Sequence, residues 1–307
     1  LRQTQDFLMS QETTAVLGQV IKPSASTRLK RIVIANKFAS FWGLISVLLL
    51  LMAITADIIS PHDPIVPNFQ KLQIPPDTEN WMGTDQIGRD IFSRLIHGSR
   101  TTLFVALVSI AVGTTIGAAW GVMSGYAGGK VDLVAERFLE VMMAIPGLIL
   151  AFLLVMVLGA TIWTIILAIA VTRLPFSARV IRSVTLSVKE MTYVEAARSI
   201  GAQPFRIMWR HVAPQCFAPF IVLVTVHLGT AIIIEASLSF LGLGVRPPTP
   251  TWGGMLGEAS ALLIPNWWFV VFPGLFITAA VLSFNLLGDG LRDVLDPRLR
   301  GSTETTG

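Results

Sequence analysis

The chain alternates between long apolar runs and short polar segments. A helix needs about 20 mostly apolar residues to cross the hydrocarbon core of a bilayer. Five runs approach that length, and a shorter sixth ends just before Arg173; the runs are 38–59, 101–124, 138–159, 161–172, 217–241 and 267–288. The pattern predicts an all-α integral membrane protein with six transmembrane helices.

Composition supports a membrane protein and narrows its chemistry. Hydrophobic residues make up 53% of the 307 and charged residues 14%, with a mean hydropathy of +0.67. Soluble domains carry about 25% charged residues. The net charge of +4 is accounted for by the membrane topology, so no nucleic-acid partner is expected. The single cysteine, Cys216, excludes a disulfide within the chain.

The polar segments divide the chain into expected parts. A cytoplasmic tail is expected at 1–36, and a first transmembrane helix with an extracytoplasmic segment at 37–100. A five-helix core is expected at 101–290 and a second cytoplasmic tail at 291–307. Prolines between 61 and 76 exclude a continuous helix there. Asp85 is predicted to cap a helix of about eleven residues that ends near Gly98.

Breaks in the later runs predict local irregularities. Residues 126–137 are expected to form a short loop, and Pro146 is expected to kink the third span. The fourth helix is expected to continue past Arg173 and to leave the membrane. Three tryptophans beside the last span are predicted to act as interfacial anchors: Trp252, Trp267 and Trp268.

The distribution of basic residues sets the orientation. With a cytoplasmic N-terminus, most of the 23 Lys and Arg residues fall on the inside, and the exceptions are Lys71, Arg89, Arg94, Arg100 and Arg246. Cytoplasmic loops of membrane proteins carry the excess of positive charge. Both termini and residues 173–214 are therefore expected in the cytoplasm.

A polar stretch at 190–215, which we call the coupling element, interrupts the apolar pattern. Two short helical patterns meet at Gly201, which can adopt the left-handed conformation that ends a helix. Pro204 suits the first turn of the second helix, and Pro214 is expected to end it. One apolar face is predicted on that second helix, with members at helical spacing: Phe205, Met208, Trp209 and Val212.

Four glycines recur at intervals of four in the second span. Their positions are Gly113, Gly117, Gly121 and Gly125. Repeated small residues at this spacing let another helix approach closely. Chance enrichment is the alternative, because glycine is common in membrane helices, but three consecutive repeats favour helix packing.

Neither a catalytic set nor a metal-binding set is predicted. The stretch from Ser124 to Val131 resembles a P-loop only loosely, because it lacks the first Gly and the final Ser or Thr. The four histidines do not fall at metal-ligand spacing. We therefore expect no catalytic residue, no metal and no cofactor on this chain.

Two ionisable residues fall within the fifth span. His227 lies near its middle, and Glu235 lies eight residues further on, about 80° around the helix. Such groups usually face the bundle interior or a water-filled path. They could line a substrate pathway or form interhelical hydrogen bonds that determine packing, and the sequence leaves both interpretations open.

Four motifs in order resemble a known family. The stretch from Glu195 to Gly201 followed by 211–214 resembles the EAA loop of permease subunits of bacterial ABC importers. Segments 83–94, 240–253 and 284–297 resemble the C-type permeases of the dipeptide, oligopeptide and nickel branch. The similarity covers about residues 30–300.

The resemblance implies the type I ABC importer permease fold, with a cytoplasmic coupling helix, in the bacterial inner membrane. It implies a heteromeric pair of permeases, two ATPase subunits that bind ATP and Mg, and an extracytoplasmic solute-binding protein. By this likeness the residues that engage the ATPase are Glu195, Ala196, Ala197, Gly201, Phe205, Arg206, Trp209 and Pro214.

Peptides are the expected cargo, with nickel complexes, glutathione-like compounds or sugar conjugates as alternatives within the branch. An ion-driven carrier or channel without an ATPase is the main competing function. It normally shows an inverted repeat or ion-coupling charges in the membrane, and neither is clear in this chain. A membrane enzyme is the third class, and it lacks a catalytic set here. The outer segments could contact the binding protein or cap the bundle.

Overall fold

The computed structural model describes residues 37–262 and 266–295, with side chains to residue 292. From Phe38 onward the described residues belong to one compact unit. Of the predicted tails, residues 1–36 and 296–307 lie outside the described residues.

Within these ranges the regular secondary structure is helical, apart from one isolated bridge between Thr84 and Asp90. The helices are α1 (Lys37–Ile54), α2 (Ala56–Ile59), α3 (Ile91–Ala127), α4 (Gly129–Ala144), α5 (Gly147–Leu158), α6 (Ile162–Lys189), α7 (Thr192–Ser199), α8 (Pro204–Ile207), α9 (Phe217–Phe240), α10 (Trp252–Ser260) and α11 (Trp267–Leu295).

The number of helices that could cross a membrane agrees with the hydropathy pattern. Among the described residues, 5 helices are long and apolar enough, or up to 6 if the bent pair α4–α5 forms one span. The all-α membrane architecture predicted from the apolar runs is confirmed. Each span buries its polar backbone groups in its own hydrogen bonds, as lipid requires.

The predicted helix from Asp85 to Gly98 was wrong in its start and its end. The helix begins at Ile91, where the Asp90 carboxylate accepts hydrogen bonds from the Ser93 backbone at 2.8 Å and from its hydroxyl at 2.7 Å. It then continues without interruption into the second span as α3, 37 residues in all. Residues at its first turns therefore stand beyond the ~30 Å hydrocarbon core.

The third span also differs from the prediction. Residues 129–137, which were expected in the loop, form the first part of α4, and α4 and α5 meet at Ile145 and Pro146 with a bend of 84°. Proline cannot donate the backbone hydrogen bond that would continue α4. The expected kink is thus a break between two helices.

Pro214 does not end its helix, contrary to the prediction. After α8 the backbone widens into a π-helical turn at Met208–Val212 and tightens into a 3₁₀ turn at Ala213–Cys216 before α9 begins. These local changes accommodate the missing N–H of Pro214 without ending the helical path. The coupling element is therefore joined rigidly to the fifth span.

The core of the bundle is the contact between α3 and α6. A Cβ added at Gly113, Gly117 or Gly121 would lie within 2.5 Å of a backbone carbonyl oxygen of α6. The glycine stripe therefore brings the two helix backbones together. As predicted, the fourth helix continues beyond Arg173, and α6 runs on to Lys189. The part of α6 just after Arg173 lies beside the second span rather than in the cytoplasm as expected, because Leu174 packs against Gly117.

The glycine contacts lead to a graded stability prediction. Gly121→Ala should lower the free energy of unfolding by roughly 1–3 kcal/mol, the usual range for overpacking, because its Cβ would meet the Ala178 oxygen at 2.3 Å. Thermal unfolding of the detergent-purified complex measures the effect. Gly125→Ala is the matched control, since the nearest atom there is a Thr185 methyl at 3.1 Å. Equal melting temperatures for both variants would contradict the close contact.

Candidate functional site

The coupling element turns at Gly201 through a regular helix-ending motif. Gly201 has a φ of 80°, its N–H donates to the Arg198 oxygen at 3.0 Å, and the Ala202 N–H donates to the Ala197 oxygen at 3.1 Å. This is the Schellman arrangement, which satisfies the last carbonyls of α7. The left-handed conformation predicted for Gly201 is present, and it sets the angle between α7 and α8.

Buried contacts attach the coupling element to the membrane helices. An apolar cluster joins Val194 and Ala197 of α7 to Ile207, Val212 and Val188, the last near the end of α6. The Tyr193 hydroxyl donates to the His211 carbonyl at 3.3 Å. Because the inner side of α7 and α8 is packed in this way, the element can move only together with the spans.

The outer side of the element presents aromatic rings and charges. Phe205 is 71% exposed and Trp209 44% exposed, and their ring centroids lie 6.2 Å apart. Glu195 of α7 and Arg206 of α8 are exposed as well. The single apolar face predicted for the second helix was wrong, because half of it faces inward and half faces outward.

The family likeness also assigned other residues to ATPase contact, and these too include both exposed and buried side chains. Ala196 and Pro214 are exposed, whereas Ala197 is buried at 8% exposure in the cluster beneath α7. Ala197 can therefore affect a partner only through the position of α7. The aromatic pair and the charged residues Glu195 and Arg206 are exposed on this element.

Ion pairs hold α4 against α6, a feature that the sequence analysis missed. Arg182 binds Asp132 through two contacts of 2.6 Å, and Arg179 lies 3.3 Å from Glu136. The carboxylates repeat every four residues along α4, so they share one face. The signal was present in the sequence, but it was hidden by the interpretation of 126–137 as a loop.

A second charge cluster lies at the opposite end of the bundle. We call it the capping cluster, and it consists of Asp85, Arg89, Arg94 and Glu258. Arg94 Nη1 bonds to Asp85 at 2.5 Å and to Glu258 at 2.7 Å, and Arg89 Nη2 bonds to Glu258 at 2.8 Å. Asp85 and Arg94 are almost fully buried. The cluster ties the segment before α3 to α10.

The capping cluster explains why arginines occur in the segment expected outside the membrane. Arg89 and Arg94 fell on the side where arginine is unfavoured, and both are neutralised by carboxylates in the fold. Arg100 is paired with Asp57 at 2.9 Å, and this guanidinium keeps the pKa of the Asp57 carboxyl below its usual value. Sequence spacing could not reveal that Glu258 would complete the set.

Trp252 is part of this same cap rather than an interfacial anchor. It is fully buried, and its indole N–H donates to the Leu95 carbonyl at 3.0 Å. The anchor prediction was wrong for Trp252 and for Trp268, which is 9% exposed and donates its indole N–H to the Thr84 carbonyl, whereas Trp267 is 59% exposed. The outer segments thus pack on the bundle, which is one of the two roles considered for them.

His227 and Glu235 both lie inside the bundle. His227 Nδ1 is 3.4 Å from the Thr114 hydroxyl and 3.5 Å from the Ser177 hydroxyl, where α3, α6 and α9 meet. Glu235 is fully buried and accepts a hydrogen bond from Ser239 at 2.7 Å. These contacts suit interhelical hydrogen bonding, and His227 also touches the ring of Phe176.

The clustered carboxylates contact arginines. Asp85 and Asp132 each contact a guanidinium directly. Within 37–262 and 266–295 no three His, Cys, Asp or Glu side chains converge as a metal site would require.

Comparison with known proteins identifies the family. Residues 117–301 match the model of the binding-protein-dependent transport system inner membrane component. The chain belongs to this family. It is a permease subunit of an ABC importer, a multi-pass protein of the inner membrane, and it functions with ATPase and substrate-binding partners.

Curated relatives align over most of the permease. It is 35% identical to the probable D,D-dipeptide transport system permease of Escherichia coli K12, over 96% of this chain and 99% of that protein. It is 36% identical to the dipeptide transport system permease of Bacillus subtilis, over 96% and 93%. It is 43% identical to the glutathione transport system permease of E. coli O1:K1, over 84% and 86%.

A solved structure supports the fold. A chain from inward-facing conformations of the MetNI methionine ABC transporter superposes with a TM-score of 0.55 at 19% identity, covering 66% of the permease and 96% of that chain. The predicted ABC importer permease fold is confirmed by this match together with the family assignment. The relatives are transport subunits and not enzymes. Because they are permease subunits of binding-protein-dependent systems, they favour the ABC permease over a stand-alone carrier or channel.

Proposed function

We propose that the permease forms one half of a heteromeric translocation pathway for short peptides with a free carboxylate. Its relatives are named for D,D-dipeptides, dipeptides and glutathione. All of these are small peptides with at least one carboxylate. In this assignment a second permease supplies the other half, two ATPase subunits bind the cytoplasmic side, and a solute-binding protein delivers the peptide outside.

One observation supports the coupling role most strongly: an exposed aromatic pair stands on a rigidly attached helix. Phe205 and Trp209 are exposed in the polar segment that the charge pattern predicts to lie outside the membrane, where lipid cannot cover them. Beneath them Ile207, Met208 and Val212 are buried against the membrane helices. A force applied to the aromatic pair would therefore reach α6 and α9 directly.

This role requires the coupling element and both termini to lie in the cytoplasm, as the distribution of Lys and Arg predicts. ATP and Mg are proposed to bind only the ATPase subunits. Closure of those subunits around ATP would move α7 and α8, and the spans would rock from inward-open to outward-open. Hydrolysis would then allow the return.

Removal of one ring tests ATPase docking. Phe205→Ala should weaken binding of the ATPase subunits by about 2 kcal/mol, roughly 30-fold, which is typical of a buried aromatic hot spot. The fold of the permease should be unaffected, because the ring is 71% exposed. Affinity of the purified ATPase for the permease pair in nanodiscs gives the measurement.

Phe69→Ala is the matched control for docking. Phe69 is also 71% exposed, but it lies in the segment before α3, at the other end of the bundle. ATPase affinity should be unchanged in this variant. Equal affinities for Phe205→Ala and the unaltered permease would contradict docking at the coupling element.

The substrate class is tested by import into proteoliposomes. The complete complex, with its binding protein, should accumulate labelled dipeptide when ATP is supplied to the ATPase side. Glutathione and free nickel are assayed in parallel. Import of nickel without any peptide import would overturn the proposed substrate class.

A further inference from the structure

Arg173 lies at the level of the middle of the second span, because Ala170 and Leu174, on either side of it in α6, pack against Gly113 and Gly117 of α3. It follows Ile162, the first residue of α6, by a helical rise of roughly 17 Å, about half the thickness of the hydrocarbon core. Its Nε donates to the Thr172 hydroxyl at 3.3 Å. The ion pairs of α6 among the described residues are made by Arg179 and Arg182, and Arg173 takes part in none of them. An arginine at this depth is costly unless it faces water, a ligand or a partner.

A cavity lies in front of this guanidinium. It has a volume of about 190 Å³ and is lined by residues of the α4–α5 bend and of α6, including Pro146, Gly147, Thr172, Arg173 and Phe176. A Cβ at Gly147 would lie 3.1 Å from Arg173 Nη2, so the guanidinium reaches across to the start of α5. The cavity thus combines a cation, a hydroxyl and apolar walls.

The start of α5 adds to the positive potential. Its N-cap is Pro146, which has no side-chain acceptor, and no side-chain cap is present. The N–H groups of the first turn, beginning at Gly147, therefore lack an intrahelical partner. A helix N-terminus carries a partial positive charge and by itself repels a neighbouring guanidinium. An anion placed between them would satisfy both groups.

We propose that Arg173, with the first turn of α5, binds the carboxylate of the transported peptide halfway through the pathway. This inference rests on the proposed peptide-import function. The guanidinium would form a two-pronged pair with the carboxylate, the strongest common geometry for this recognition, and the N–H groups of α5 would donate to the remaining lone pairs. Broken helices whose N-termini face anionic substrates at mid-membrane are a known solution in transporters.

The position of the site favours a peptide over a lipid as the anion. Lipid phosphates lie at the edges of the bilayer, about 15 Å from its centre. The other available anion is a carboxylate of the second permease. In that case the pair would stabilise the assembly and would not select substrate.

The test measures import and ATP hydrolysis together in proteoliposomes that contain the full complex. Arg173→Gln should lower dipeptide import per ATP hydrolysed by about tenfold, the loss of one charge-assisted contact. Binding-protein-stimulated ATPase should stay within about twofold of the unaltered complex, because the coupling element is intact. Arg173→Lys keeps the charge but loses the two-pronged guanidinium contact, so dipeptide import per ATP hydrolysed should be intermediate.

Arg137→Gln is the matched control. It removes one positive charge from an exposed position, where Arg137 pairs with Glu140 at 2.7 Å, and it should leave the import ratio unchanged. An unchanged ratio in Arg173→Gln would overturn the site. Loss of the second permease on purification of Arg173→Gln would also overturn it, in favour of an ion pair between subunits. If the unaltered complex imports no peptide at all, the proposed function itself fails, and that failure is seen before any variant is made.

Discussion

Gly201→Val should abolish the stimulation of ATP hydrolysis by the binding protein. Gly201 has a φ of 80°, a region that a β-branched residue scarcely enters. The strain is on the order of 1–3 kcal/mol, enough to open the Schellman turn and to tilt α8 relative to α7. We expect at least a tenfold loss of stimulated ATPase activity in proteoliposomes, because the exposed rings would no longer match the ATPase surface.

The result can be separated from a general effect of backbone strain. Gly242 has a φ of 79° and, like Gly201, no atom within 4 Å of an added Cβ. It follows α9 at the end of the bundle that is opposite the coupling element. Gly242→Val should therefore produce similar local strain and retain stimulated activity. Similar losses in the two variants would show that the turn at Gly201 has no special role in coupling.

Arg94→Gln should destabilise the permease by about 3–5 kcal/mol, as expected when one member of a buried ion cluster is removed. Arg94 is 1% exposed and contacts Asp85 and Glu258. Its loss leaves the Asp85 and Glu258 carboxylates sharing only Arg89 in the cap. Yield of folded complex and its thermal unfolding in detergent provide the measurement.

Arg100→Gln supplies the comparison for Arg94. Arg100 also bonds to a carboxylate, Asp57, but both side chains are substantially exposed. Exposed ion pairs contribute little, typically about 0–1 kcal/mol. A melting temperature that falls as much for Arg100→Gln as for Arg94→Gln would contradict the structural importance of the capping cluster.

The two ends of the bundle therefore have different physical designs. At one end a buried apolar cluster supports α7 and leaves Phe205 and Trp209 exposed. At the other end charged side chains are buried and paired within the chain, around Arg94. The first arrangement suits a surface that must bind a separate protein. The second suits a cap that must stay closed on its own helices.

Two prolines show that the sequence predicts a disturbed helix but not the form that the disturbance takes. Pro146 and Pro214 were both expected to disturb a helix. One separates α4 from α5 by 84°, whereas the other is absorbed in a π turn and a 3₁₀ turn. A proline removes one hydrogen bond in either case. Whether the helix then bends or continues depends on the neighbours packed around it.

The sequence alone determined the membrane class, the approximate spans, the glycine stripe, the turn at Gly201 and the family likeness. These depend on local patterns: length and polarity of runs, residue spacing and the freedom of glycine. Only the tertiary structure decided that Glu258 binds Arg94 in the capping cluster. It also decided that Phe205 is exposed while Met208 is buried. Finally, it placed the Arg173 guanidinium beside Gly147. Those arrangements join residues from distant parts of the chain, and helix packing, not local spacing, sets which side chains meet.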